Sequence, residues 1–430
     1  LEELALKENQ SNHSLKITIM FVGLLLNQSN VLFGLNLSIA DIIMVIAFIL
    51  LLVKNQLFFP SYYLLFFFVF SFLLIVNSVF IIPREYGMPI SNVGVIRDYI
   101  KICTLFLYFI LAFHVVRLNL LEVFLKYFLI FSVFVGSLGI VIMLVYPVPF
   151  LSHILLFGET RLTGFMNDPN YFSIIQIAAL SIALGIKIPN KFLRYSSVTI
   201  LIISVLLSGS KTGFITLAGF LVLKLVHKLP RKKMRKNTVL LVLLFCTIIS
   251  LSTLFITVSL LPFLQTISKE YPTIGRVLLL LTNFEEAVSQ DGSGRGLQWE
   301  VGLEVMKSTP LNGVGIGDNY LTLAREINRT ANLAHNTYIQ IAAEWGLLIT
   351  SVILAYFFVM VSSTNHSNET KQQKIVNEMF FIFLVSSLAI SFNYSRLFWM
   401  LVGMKTYFFL YERQRQSNQT KDSKIKRNEY

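Results

Sequence analysis

The chain has 430 residues, 55% of them apolar and 14% charged, with 38 phenylalanines and a mean hydropathy of +0.69. Soluble proteins carry about 25% charged residues, so a soluble multidomain enzyme, a disordered chain and a collagen or coiled-coil rod are excluded. The apolar runs also far exceed the roughly ten alternating residues of a barrel strand, which excludes an outer-membrane barrel.

What remains is an all-α polytopic membrane protein. At roughly twenty residues per crossing, the apolar content allows about a dozen transmembrane helices. Residues 1–16 are polar and read as a cytoplasmic N-terminal segment ahead of a retained first span. Apolar runs then place spans near 17–35, 38–54, 58–82, 99–117, 121–146, 171–187, 195–209, 212–228 and 238–262, the first nine of the chain. A large connection covers 263–336, three more spans (337–362, 377–394, 397–411) fill 337–411, and a basic cytoplasmic tail closes the chain at 412–430. Asp41 reads as a helix-end residue of the second span, and Asn393, Tyr394 and Arg396 separate the last two. Cys103 and Cys246 both sit inside apolar runs and read as core residues.

The basic residues orient this array. Lys228, Arg231, Lys232, Lys233, Arg235 and Lys236 follow the eighth span with no acid among them, Lys371 and Lys374 precede the eleventh, and the tail is basic. All fall on the side of the N-terminus, together with Lys54, Arg117, Lys126, Lys187, Lys191 and Arg194, giving an N-in, C-in topology. Most of the net charge of +13 is thereby explained by topology, so no nucleic-acid partner is needed. Arg84, Arg97 and Lys101 would lie outside, against the rule.

The connection 263–336 is external by this count, with six Lys/Arg against eight Asp/Glu. Connections of this length usually do something. Within it, Leu297, Val301 and Val305 form the stripe of a short helix over 295–307, suited to lying along the membrane surface. Gly313, Gly315 and Gly317 lack dinucleotide-fingerprint spacing and read as a turn.

Polar residues gather at the outward span ends. The stretch Arg161 to Asn170 ends in Asp168 and Pro169, an N-cap and first-turn proline for the sixth span. Arg161 wants an anionic partner, which a lipid headgroup or a substrate would equally supply. The hairpin Ser208-Gly209-Ser210-Lys211-Thr212-Gly213 is so short that Lys211 sits at or below the interface. A snorkelling lysine and a functional cation both fit there. The tenth span opens on His335, and Asn336, Gln340 and Glu344 follow at i, i+4 and i+8 as one polar stripe. Glu344 lies about 13 Å deeper than His335 and calls for protonation or a cationic partner such as Lys211 or an arginine. His335, at the mouth of the stripe, is placed either to structure the span end or to move a proton near neutral pH.

Asp-x-Asp, His-Glu-x-x-His, Cys/His clusters and the Gly-x-Ser-x-Gly elbow are all missing, so neither a metal site nor a serine hydrolase is indicated. The set that remains, Arg161, Lys211 and Arg295 with one histidine, suits transfer of a sugar from a lipid diphosphate. Fixed cations hold the charge that grows on the departing diphosphate, and that good leaving group needs no general acid.

At this point the sequence resembles the O-antigen ligases and the O-antigen, capsule and exopolysaccharide polymerases. RLTGFMNDPN, SGSKTG, GSGRGLQWEVGLEVMKSTPLNGVGIGDN and HNTYIQIAAEWG stand in that family's order between about 155 and 350. His335-Asn336, nine residues and then Gly346 look like the ligase pattern, and Lys211 stands where many members have Arg. The resemblance implies a membrane glycosyltransferase of the bacterial inner membrane that inverts its donor sugar on the external, periplasmic face. Its donor would be an undecaprenyl-diphosphate-linked oligosaccharide, with no metal, cofactor or nucleotide sugar. Arg161, Lys211 and Arg295 would hold the diphosphate, His335 and Arg295 would be catalytic, and Asn336, Gln340, Glu344, Asp168 and Asn170 would support them. Partners would be the lipid bilayer and other assembly proteins, such as a flippase and a chain-length regulator.

Ile349 and the modest external loop favour a polymerase, which joins one lipid-linked repeat unit to another, over a ligase with a lipid or protein acceptor. A transporter or flippase fits the span count, but the chain shows no internal repeat and has a large outer loop. A scaffold for other assembly enzymes leaves Lys211 and Glu344 unexplained.

Overall fold

The computed structural model describes residues 2–26, 38–87, 92–144, 148–158, 160–228, 294–362 and 369–411, with single positions at 266 and 275. The ninth span, the first part of the large connection and the tail lie outside the described residues.

The described residues are mostly helical. Helices α1 (Glu2–Leu25), α2 (Ile39–Val53) and α3 (Ser61–Val76) come first, and α3 runs through a π-helical turn at Asn77–Ile81 into α4 (Ile82–Tyr86). They are followed by α5 (Asn92–Arg117), α6 (Leu121–Leu144) and the short α7 (Pro149–Leu155). Two-residue strands at Leu156–Phe157 and Arg161–Leu162 pair antiparallel, a hairpin that hydropathy gave no sign of. Next come α8 (Pro169–Gly185), α9 (Lys191–Leu207) and α10 (Lys211–Lys228). Beyond the undescribed segment lie α11 (Arg295–Ser308), α12 (Asn319–Ile327), α13 (Thr337–Ser362), α14 (Lys371–Ser386) and a last helix, α15, over 396–411.

Among the described residues four helical segments are long and apolar enough to cross a membrane: Ser61–Tyr86, Asn92–Arg117, Leu121–Leu144 and Thr337–Ser362. Shorter apolar helices span His13–Leu25, Ile39–Val53 and Pro169–Gly185. Large apolar side chains face outward along α2 and α3, among them Ile42, Ile46, Ile49, Phe68 and Phe72. A surface this apolar needs a lipid solvent.

α8 is the central post. Asp168 accepts from the Asn170 and Tyr171 amides at 2.5 and 3.3 Å, Pro169 opens the first turn, and nearly every residue from Phe172 to Ala183 is buried. Buried on all sides, the helix reads as apolar all round rather than striped. It packs on α6, α9, α10 and α14. Gly213, in the first turn of α10, has no room for a Cβ, which would stand 2.3 Å from Ser173 Oγ. That glycine lets the N-terminal ends of α8 and α10 touch.

Several boundaries differ from hydropathy for physical reasons. α1 starts at Glu2, so the polar segment expected before the first span belongs to the same helix. α5 starts at Asn92 rather than 99, so Arg97, Asp98 and Lys101 all stand on the helix, where both cations pair with Asp98. The stripe of α11 does not lie on the membrane surface. Val301 and Val305 are buried in a small separate core with Ile82, Val314, Tyr320 and Ala343, and Leu297 packs against it. Gly302 of the same helix approaches Ala334 and Ile339.

The glycines at 313, 315 and 317 form more than a surface turn. α13 is broken at Gly346 (φ 80, ψ 160), which frees the carbonyls of Ala343 and Glu344. The loop fills the gap: Val314 N donates to Ala343 O and Gly315 N to Glu344 O, both at 2.8 Å, and Leu347 N donates to Pro310 O at 2.8 Å. The π-helical turn clamps the other side, where the Asn77 amide donates to Asn312 O (3.0 Å) and Gly313 O, and Ser78 Oγ accepts from Ile316 N at 2.7 Å. Irregular backbone at membrane depth is tolerated when its polar groups are satisfied within the protein in this way.

Candidate functional site

The site is built around the hairpin between α9 and α10. Arg161, on the second short strand, donates from Nε to Ser208 O at 3.0 Å. Ser210 Oγ donates to Asn170 Oδ1 at 2.8 Å and ties the hairpin to the start of α8. Lys211 is the first residue of α10 and is buried. Arg295, the first residue of α11, reaches the same hairpin from a distant part of the chain, donating from a terminal nitrogen to Thr212 Oγ1 at 2.7 Å. Three cations expected from the sequence thus gather on five consecutive residues. The N-termini of α8, α10 and α11 lie beside them, adding partial positive charge.

His335 stands next to this group. Its backbone is left-handed (φ 50), an uncommon conformation for a non-glycine residue. Two side-chain carbonyls hold the segment before it: Gln298 of α11 accepts from Asn332 N at 2.6 Å, and Gln340 of α13 accepts from Ala334 N at 2.8 Å. Asn336 caps α13, accepting from the Tyr338 and Ile339 amides at 3.0 and 3.1 Å and donating to Leu388 O at 3.0 Å. Burial lowers the His335 pKa below its ordinary 6.5, the Arg295 charge lowers it further, and Asp168 opposes both. The ring is therefore neutral at pH 7 and able to accept a proton.

The polar stripe of α13 is a supporting chain. The Gln340 amide donates to Glu344 Oε1 at 2.6 Å, and Asn393 and the Tyr394 hydroxyl donate to Glu344 Oε2 at 3.0 and 3.3 Å. The sequence left two options for Glu344, protonation or a cation beside it such as Lys211 or an arginine. Among the described residues its partners are instead three neutral donors, because the break between α14 and α15 brings Asn393 and Tyr394 to that depth.

Other polar groups in this region escaped the sequence reading. Asp41 is not only a helix-end residue: Arg396 grips it with Nε and a terminal nitrogen, each at 2.6 Å, and the Tyr108 hydroxyl donates to it at 2.9 Å. Asp98 is shared by Arg97 (3.2 Å) and Lys101 (2.7 Å) and accepts from Gly317 N at 3.1 Å. The available signal was the breach of the positive-inside pattern by Arg97 and Lys101. No group of three or more His, Cys, Asp or Glu side chains suited to a metal ion occurs among the described residues.

Residues 196–359 match the O-Antigen ligase family. The matched stretch runs from α9 into α13 and contains Lys211, Arg295, His335 and Glu344; Arg161, Asp168 and Asn170 lie upstream of it. No curated protein matches the chain. Together with the apolar helices, the family match supports a multi-pass membrane enzyme that transfers glycans in the manner of the O-antigen ligases and polymerases.

Proposed function

We propose that the protein is a polysaccharide polymerase of the bacterial inner membrane, with about twelve spans, both termini inside and the site on the outer face. It moves a glycan from an undecaprenyl-diphosphate carrier to a sugar hydroxyl of another lipid-linked repeat unit. The supporting observation is the meeting of Arg161, Lys211 and Arg295 on one hairpin beside a neutral, half-buried histidine.

The acceptor oxygen bonds to the anomeric carbon as that carbon's bond to the diphosphate oxygen breaks, with inversion. The bonding electron pair leaves with the diphosphate, and the hydroxyl proton passes to His335. Arg161, Lys211 and Arg295 hold the leaving group, so this route needs no divalent ion. Gln340 and Glu344 position the backbone that carries His335, and Asp168 and Asn170 fix the start of α8 against the hairpin.

Reconstitution with purified lipid-linked repeat units tests this reading. A ladder of products that persists in EDTA supports it. Loss of activity on chelation overturns the metal-free route. Reaction only when a second lipid or a protein acceptor is added favours a ligase, the reading that the name of the matched family supports.

A further inference from the structure

A cavity of about 660 Å³ lies between α5, α8 and the segment 391–397. This volume is in the range of sites that enclose small molecules. Neither His335 nor any of the three hairpin cations lines it, but Asp168 does, and the Asp168 charge acts on His335. Leu333, two residues before the histidine, also lines it. The cavity therefore borders the candidate site without belonging to the hairpin.

Its wall carries Arg97, Lys101 and Arg396, and each is matched by a carboxylate. Arg97 pairs with Asp98 (3.2 Å) and Asp318 (3.1 Å), Lys101 with Asp98 (2.7 Å), and Arg396 with Asp41 (2.6 Å). A wall compensated in this way offers little net field to a diphosphate. It offers donors and acceptors side by side, which is what sugar hydroxyls, each both donor and acceptor, require. Asn167, Asn393, Tyr171 and Tyr394 extend the polar lining, and the two tyrosines add ring surface. Along α5 the lining turns aliphatic at Val93, Ile96 and Ile100, all exposed at the helix surface.

We infer that this cavity is the acceptor site, and the inference rests on the glycan-transfer reading above. It takes the uncharged, hydroxyl-bearing end of a lipid-linked saccharide, while the attached lipid follows the aliphatic face of α5. The acceptor's own diphosphate is not read there.

The test uses the full chain in lipid nanodiscs, a labelled lipid-diphosphate repeat unit as donor, and the octyl glycoside of the same repeat unit as a phosphate-free acceptor. Ile100→Trp fills the aliphatic face and removes no side-chain hydrogen bond; Ile96→Trp is the second variant should the first fail to fold. Either change should raise the octyl glycoside concentration for half-maximal transfer by about tenfold and leave donor half-saturation unaltered. Unchanged acceptor half-saturation overturns the inference. So does an octyl glycoside that never reacts while a lipid-diphosphate acceptor does. If the wild-type protein transfers glycan to no acceptor at all, the polymerase reading has failed, and direct binding of the octyl glycoside then decides the cavity. Binding weakened by Ile100→Trp sustains it, and no binding to the wild type overturns it.

Discussion

A histidine that takes a proton works only while it is neutral, and burial and two charged groups set that state for His335. Burial and the Arg295 guanidinium both disfavour the imidazolium form, whereas Asp168 favours it. The sign follows: transfer should hold as the pH falls through 6.5 and decline only below it. Arg295→Ala removes a repelling cation, so the acidic limb of its residual activity should move to higher pH. Asp168→Asn should move that limb lower. His335→Ala should abolish polymer in a protein that still folds and inserts, and normal polymer from that variant would end the proton-acceptor role. Arg295 also faces the departing charge, so its truncation should raise the barrier by about 3 kcal/mol, as for one lost transition-state donor. Arg295→Lys should restore only part, since an ammonium group lacks the planar fork of a guanidinium. Full recovery by lysine would rule out two-pronged phosphate binding. Single-turnover rates measured across pH separate the two effects.

The element that most constrains the site is the broken helix α13. Its length was legible from the apolar run, because twenty-odd apolar residues need little else to define a span. Its break at Gly346 was not, since a glycine in an apolar run has the same hydropathy whether the helix bends there or not. The cause is tertiary: the loop 310–317 supplies the amides that Ala343 and Glu344 lose. A Cβ on Gly346 would stand 2.1 Å from Leu311 O, and φ 80 is a conformation that side chains resist. Gly346→Ala should therefore cost on the order of 3 kcal/mol from backbone strain and overpacking, read as a lower melting temperature in detergent. It should also open the loop to protease. An unchanged melt and intact protection would mean that the loop does not plug the break. α11 teaches the same lesson. Its stripe was visible in the sequence, but an amphipathic stripe is equally suited to lipid and to protein, and only Val314, Tyr320 and Ala343 decide for protein.

At the scale of the molecule, the polar groups divide between two rims. One holds Lys54 donating to Ser14, Arg117 to the Gln56 carbonyl and Arg194 to the Leu184 carbonyl. The other holds the hairpin, His335, and the Asp98 and Asp41 ion pairs. The positive-inside pattern assigns Lys54, Arg117 and Arg194 to one side. On the second rim Arg97 and Lys101 read as violations, because a count of basic residues does not show that both pair with Asp98, and nothing in the sequence signals that Arg396 meets Asp41, far away along the chain. Under the positive-inside rule the rim that carries Lys54, Arg117 and Arg194 belongs on the cytoplasmic side. The site rim should accordingly face outward. Arg329, exposed six residues before His335, and Lys191, exposed at the other rim, allow a direct check. With Cys103 and Cys246 replaced by serine, a membrane-impermeant maleimide should label Arg329→Cys in intact spheroplasts and Lys191→Cys only after permeabilisation. The reverse pattern would put His335 on the cytoplasmic face, away from an externally displayed donor, and polymerisation at the outer surface would then be untenable.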